Sequence, residues 1–445
     1  MLVRFSMPFL LAGLIQMGHG LINVFLLNWL ASPASVAGAW NAGLLQFTLV
    51  SLFAGLGAGG MILLGQYTGA KQNDNAAKTV GNVICLQAVL AVVTAILILS
   101  LGRLFIGILN VPTEPDANGL SAASEAWRFM RIAAIGIIFQ KGYGTMVSML
   151  RALGNSKMPM IFIAISCVIN IVLDYVFIGI FHMGAAGAAL GTVIAQACGF
   201  CIAFLYITRK KLPFPFKRRN IRFDGYILRR TFRLGVPISL QSVLNMASFI
   251  VVAGIINGMG TYEAAANSIV NNIVNFIMIV PIALGSALGA ISAQNLGAGK
   301  VDRAFKSLKL AIMFSLIVAI PTALFASIFP TAIASLLSPN PDVVRVSAQF
   351  LIPFSWDFVL VSFVFCINNF FNGCGITKFV AAHEMTAALL VRIPVSWLLS
   401  LIPGATLFHV GIGTPAATLA SLIMCLIYYK VKLSRGKLAN LKIAG

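Results

Sequence analysis

Apolar runs of about 20 residues or more, each long enough to cross a bilayer as a helix, follow one another along the whole chain. Between them no polar segment is large enough for a soluble domain. Of the 445 residues 59% are hydrophobic and only 9% charged, and the mean hydropathy of +0.96 lies far outside the soluble range. In lipid each span must satisfy its own backbone, which runs of this length do as helices. The expected fold is an all-α integral membrane protein.

Turn residues and charges divide the chain into twelve transmembrane helices, at roughly 5–30, 35–66, 79–107, 121–150, 158–180, 186–208, 234–258, 262–293, 306–332, 346–373, 380–402 and 410–431. The connection after every even-numbered span is basic. It holds Lys71 and Lys78, then Arg151 and Lys157, then a long linker, then Lys300 and Arg303, then Lys378, and finally a tail with Lys432, Arg435, Lys437 and Lys442. On the opposite side the connections carry Glu114 and Asp116, Glu263, or Asp342 with Arg345. This asymmetry predicts cytoplasmic termini in a multi-pass protein of the cell inner (plasma) membrane.

A net charge of +20 invites a nucleic-acid reading. The placement of the basic residues argues against it, because the longest connection, RKKLPFPFKRRNIRFDGYILRRTFR at 209–233, has the composition of a cytoplasmic loop lying on anionic lipid. Membrane lipids are therefore expected partners and nucleic acid is not. The seven cysteines fall mostly inside apolar runs and give no disulfide framework.

The chain also repeats itself. GQYTGAKQNDNAAK (65–78) has a cousin in AQNLGAGKVDRAFK (293–306): one displacement of 228 sets Gln66 on Gln294, Gly69 on Gly297, Asp74 on Asp302 and Lys78 on Lys306. Arg4 and Pro8 match Arg233 and Pro237 at 229, and LGNSK (153–157) matches CGITK (374–378) at 221. Both loop copies lie on the basic side, so an even number of spans separates them. Two parallel six-helix repeats around a central cleft follow: an N-terminal lobe 1–208, a basic cytoplasmic linker 209–233, a C-terminal lobe 234–431 and a basic tail 432–445.

Proline-led first and seventh helices, the two repeated loops, RALGNSK after the fourth helix and LDYVFIGIFHMGAAGAALGT across the fifth and sixth resemble the multidrug and toxic compound extrusion (MATE) family. The resemblance extends over nearly the whole chain. It implies a twelve-helix antiporter that expels organic cations or other amphipathic compounds in exchange for protons or sodium. In its DinF-like branch an Asn, an Asp four residues later and a Thr on the sixth helix form the cation site of the N-terminal lobe; Asn170, Asp174 and Thr192 match these positions. Asn23 stands where the family usually carries an acid on the first helix, and Asn245 where another branch has a glutamate on the seventh.

Polar groups inside spans are the remaining candidates, because each is costly unless it has a role or a partner. Asn170 lies one turn before Asp174 on the same helical face, so the acid and the amide can together offer oxygens to a sodium ion, or the acid alone can carry a proton. The structural alternative is an ion pair between Asp174 and Arg131. Asp357 and Arg392 fall near mid-depth and can pair, or form a second polar site. Lys141 either snorkels to the membrane surface or faces the cleft. Asn267, Asn271 and Asn275 recur every four residues, and Asn368 and Asn372 do so on the tenth span; such stripes serve interhelical hydrogen bonds or line a path for cargo.

Other motifs carry little. GLGAGG (55–60) has no preceding strand, CGFC (198–201) is a lone cysteine pair inside a span, and HE at 383–384 lacks the second histidine of a zinc site. No nucleophile triad is evident, so the chain is not expected to be an enzyme. No cofactor is expected beyond a proton or sodium as coupling ion, the latter at Asp174, and the protein is expected to be a monomer. The reading is a secondary active, cation-coupled efflux antiporter for small organic compounds working by alternating access. The alternatives are a lipid-linked saccharide flippase of the same superfamily, for which extra spans and a strongly charged cavity would be expected, and a membrane-embedded enzyme, which would need a clustered catalytic set.

Overall fold

The first half of the chain builds six long helices: α1 (Leu2–Leu30), α2 (Pro33–Gly69), α3 (Asn73–Ile108), α4 (Ala122–Ala152), α5 (Lys157–Asp174) and α6 (Gly184–Lys210). α5 continues into a π-helical stretch, Tyr175–Ile180. The second half contains α7 (Gly225–Asn257), α8 (Thr261–Ile277), α9 (Ile279–Gly297), α10 (Val301–Ile328) and a short α11 (Pro330–Ser335). α12 (Pro341–Gly373) follows, then α13 (Thr377–Thr386), which runs through a π-helical stretch, Ala387–Arg392, into α14 (Ile393–Ser400). α15 (Leu407–Gly411) and α16 (Gly413–Tyr428) complete it. This computed structural model describes residues 2–115, 119–210 and 212–433. Asp116, Lys211, the side chain of Lys432, and the tail residues Arg435, Lys437 and Lys442 lie outside the described residues.

Among the described residues there is no strand, and eleven helical segments are long and apolar enough to span a membrane. The exception is α4, which carries Glu125, Arg128, Arg131 and Lys141. It packs against α2, α3 and α6, and Glu125 and Lys141 are both buried. A helix with charges survives in a membrane when protein surrounds it. Large apolar side chains such as Trp29, Trp40 and Leu336 are instead exposed, as a surface solvated by lipid permits.

The sequence suggests one helix over 262–293, whereas the chain breaks at Met278 between α8 and α9. Pro281 explains the break, because it has no N–H to offer the carbonyl of Ile277 and its ring crowds that carbonyl. The seventh helix starts earlier than the charge pattern suggests, at Gly225.

The duplicated loops fold into the same turns. After α2, Ala70 N donates to Gln66 O at 2.9 Å and Gln72 N to Tyr67 O at 3.0 Å; after α9, Ala298 N donates to Gln294 O at 3.0 Å and Lys300 N to Asn295 O at 2.8 Å. The left-handed residue falls at the same place, Lys71 (φ 57°) in one copy and Gly299 (φ 71°) in the other. LGNSK and CGITK likewise share a left-handed glycine, Gly154 (φ 86°) and Gly375 (φ 81°).

The chain divides into two compact units, Leu11–Arg233 and the rest of the described chain. In the first, the basic linker is fixed across α3: Asn82 Nδ2 donates to Asp224 O at 3.2 Å, and a Cβ on Gly81 would collide with the backbone of Asn220. Arg230 also bonds to the Tyr67 hydroxyl and lies 5.1 Å from the Tyr226 ring centroid. In the second unit α12 packs against α8, α9, α10 and α16 and is the most buried of the spans.

Candidate functional site

α6 carries a small residue every four positions, Gly187, Gly191, Ala195, Gly199 and Ala203, all buried. Such a stripe lets neighbouring helices approach closely, and Ser166 Oγ of α5 reaches Ala195 O of α6 at 3.0 Å. One turn along the stripe, a Cβ on Gly191 would run into the Asp174 carboxylate. The missing side chain at 191 is what admits the acid between α5 and α6.

Asp174 is 1% exposed and Asn170 3%. Asn170 Nδ2 donates to Asp174 Oδ1 at 2.9 Å, as their four-residue spacing predicts. A third member was missed by sequence reasoning: His19 of α1, whose Nε2 is 2.6 Å from Asn170 Oδ1. Because the Asn170 amide nitrogen faces the acid, its oxygen accepts, and the His19 ring nitrogen is the donor. The order is therefore imidazole to amide to carboxylate, running from α1 to α5. No ion pair joins Asp174 to Arg131, which is exposed and lines a different cavity with Arg128.

Asn23, one turn beyond His19, and Thr192, next to Gly191, line a cavity of about 710 Å³ in the same unit. Asn28, Asn41, Trp40 and Phe129 share its wall. The four predicted coupling residues thus fall in one region, Asn170 and Asp174 in direct contact and Asn23 and Thr192 beside them. Asp174 is also the last α-helical residue before a π-helical stretch, a distortion that recurs at functional sites.

Asp357 and Arg392 do not form the direct ion pair that their depth suggested. Arg392 turns to α7, donating to Asn245 Oδ1 at 2.7 Å and Ser248 Oγ at 3.4 Å, with its guanidinium 4.1 Å from the Phe249 ring centroid. Neutral acceptors and an aromatic face hold the cation there. Asp357 is 6% exposed, and its Oδ1 has no hydrogen-bond partner.

The HE pair at 383–384 belongs to a polar network in the second unit. His383 is buried, with Nδ1 2.8 Å from Ser421 Oγ and Nε2 3.0 Å from Asn368 Oδ1. Asn368 Nδ2 donates to Glu384 Oε1 at 2.6 Å. Asn368 therefore knits α12 to α13, and Ser421 extends the network to α16.

Lys141 neither snorkels nor lies open: it is buried, its Nζ reaches Val50 O of α2 at 3.4 Å, and it lies 5.9 Å from the Phe53 ring centroid. A carbonyl and a ring face on the neighbouring helix are the partners of the ammonium. On α8, Asn271 Nδ2 bonds at 2.8 Å to both the backbone and side-chain oxygens of Asn267, within its own helix, and Asn271 and Asn275 are exposed. Asn372 is half-buried, and its side-chain oxygen has no partner.

Six spans duplicated in sequence, with polar networks buried inside each unit, define a polytopic membrane protein of the transporter class. The chain belongs to the MatE family, whose profile matches residues 8–176 and 237–398. It is similar to "Probable multidrug resistance protein YoeA" of Bacillus subtilis (strain 168), 28% identical over 435 residues covering 96% of this chain and 92% of that one. It is also similar to "Probable multidrug resistance protein YpnP" of the same organism, 26% identical over 432 residues covering 96% and 94%. Among solved structures, the Vibrio cholerae MATE transporter VcmN superposes with a TM-score of 0.89 at 20% identity, over 99% of this chain and 98% of that one. At that identity the likeness is one of fold.

Proposed function

We propose that the protein is a secondary active multidrug efflux transporter, exporting small amphipathic or cationic organic compounds by alternating access, with Asp174 as the group that binds the coupling ion. The family match and the multidrug resistance names of its relatives support export of drugs over flipping of lipid-linked saccharides. The observation that carries the coupling role is the row from partly buried His19 to buried Asn170 and Asp174. An ionised carboxylate enclosed by helices, with one amide donor and no cation beside it, is relieved by taking up a positive charge.

The row also bears on which ion. Asn170 presents its NH2 to the carboxylate, and its oxygen is already occupied by His19. A proton binds Asp174 without disturbing this order. Sodium needs several oxygen ligands, and Asn170 faces the carboxylate with its NH2, so its amide would have to turn to add an oxygen beside Asp174. The coupling ion in this reading is a proton, and it drives transport only because its affinity for Asp174 differs between the two access states. The protein works as a monomer in the plasma membrane with both termini in the cytoplasm, the orientation favoured by the basic connections.

Proteoliposomes loaded with a panel of cationic dyes, with pH and sodium gradients imposed separately, test the reading. Dye movement driven by the pH gradient alone is the expected result. Movement driven only by sodium would reassign the ion, and movement under neither gradient would overturn the antiport mechanism.

A further inference from the structure

A second cavity in the first unit, of about 780 Å³, belongs to no part of the mechanism above. Ile84 of α3, Met146 of α4 and Phe200 and Phe204 of α6 form its walls, and the linker residues Leu212–Phe216 and Ile221 roof it. Its volume lies within the roughly 300–1,000 Å³ of ordinary ligand sites. Its few polar side chains are committed elsewhere or sparse: Thr145 Oγ1 donates to Lys141 O at 2.7 Å and Thr208 Oγ1 to Phe204 O at 3.0 Å, leaving Gln87. No acidic side chain lines it.

The roof is a built feature. Phe214 is 5% exposed. The 3₁₀ turn Arg218–Asn220 is pressed on α3 where Gly81 leaves no room for a Cβ, and Asn82 ties down Asp224. The apolar roof residues are bracketed in the chain by basic ones: Arg209 and Lys210 before Leu212, Lys217, Arg218 and Arg219 after Phe216, and Arg222 after Ile221. All six are exposed. An apolar slot whose roof is flanked in the chain by exposed basic residues is complementary to a molecule with a hydrocarbon chain and an anionic head.

We infer that this cavity is a binding site for an anionic phospholipid, with an acyl chain between α3, α4 and α6 and the phosphate on the basic residues of the linker. Because the linker leads directly into α7, bound lipid would hold in place the segment that joins the two halves of the sequence. The inference stands apart from the coupling role of Asp174, and the test uses lipid retention without any transport assay.

Native mass spectrometry of the full-length protein, titrated with phosphatidylglycerol and with phosphatidylcholine of the same chains, reads the site directly. Wild type should retain phosphatidylglycerol at least about tenfold more tightly, and the triple variant Arg218→Gln, Arg219→Gln, Arg222→Gln should lose up to about a hundredfold of that affinity, given the contribution of each basic residue at an anionic surface. Ala88→Trp, which fills the cavity from an exposed position on α3, should abolish the tight site; Ile138→Trp, also exposed and lining it, serves if the first variant does not fold. Equal retention of the two lipids by wild type, or unchanged phosphatidylglycerol binding in the filled variants, would overturn the proposal. So would displacement of the lipid by a transported dye, which would make the cavity a cargo site.

Discussion

His19 Nε2 and Asn170 Oδ1 lie 2.6 Å apart, joining positions separated by 151 residues of sequence. This contact fixes which way the Asn170 amide faces and so which atom it offers to Asp174. In His19→Ala the amide loses its anchor, and efflux driven by a pH gradient should fall several-fold. His19→Gln, which keeps a donor, should recover part of it. Initial dye-efflux rates at matched protein levels measure both; equal rates in wild type and His19→Ala would remove His19 from the site.

Gly191 faces the acid from α6. Its replacement by alanine forces a methyl group toward the Asp174 carboxylate, and overpacking of this kind costs about 1–3 kcal/mol. Gly191→Ala should lower both the melting temperature and the driven efflux rate. A thermal-shift assay on purified protein alongside the transport assay shows both, and a variant with wild-type stability and rate would mean that the acid has room to move.

Glu125 latches three helices. It is 1% exposed and accepts hydrogen bonds from Ser35 Oγ of α2 at 2.9 Å, from Ala185 N at the start of α6 at 3.0 Å, and from Arg128 Nη1 at 3.0 Å. Glu125→Ala strips charge-assisted partners from all three and should cost roughly 3 kcal/mol. Arg128 is half-exposed at 52%, so Arg128→Ala should cost less than about 1 kcal/mol. Denaturation midpoints that rank the two in the opposite order would refute the latch.

The duplicated turns make a paired prediction about the left-handed residue. Gly299→Ala places a side chain at φ 71° and should destabilise by about 1 kcal/mol. Lys71→Gly, at the matching position of the other copy, relieves the same strain and should be neutral or slightly stabilising, because glycine's greater freedom in the unfolded chain offsets the gain. Melting temperatures of the two variants test the equivalence.

What the sequence disclosed follows the range of the interactions. The spans, the duplicated loops and the contact between Asn170 and Asp174 depend on neighbours a few residues away, so periodicity and turn chemistry suffice to find them. His19, Glu125 and the network of Asn368, His383, Glu384 and Ser421 depend on which helix faces which, and one sequence carries no such signal. His383 and Glu384 match only a fragment of a metal motif in the sequence, although titratable groups inside a span each need a partner. For Asp357 and Arg392, equal depth makes a pair conceivable, but depth carries no information on which helix a side chain faces, and the guanidinium turns to α7.

Proteoliposomes containing Asp174→Asn test the central claim most directly. Dye efflux is measured with an imposed pH gradient, and dye binding is measured in its absence. The account predicts that binding persists while gradient-driven efflux disappears, because the asparagine keeps the shape of the acid and cannot take up the proton. Driven efflux at the wild-type rate would contradict it.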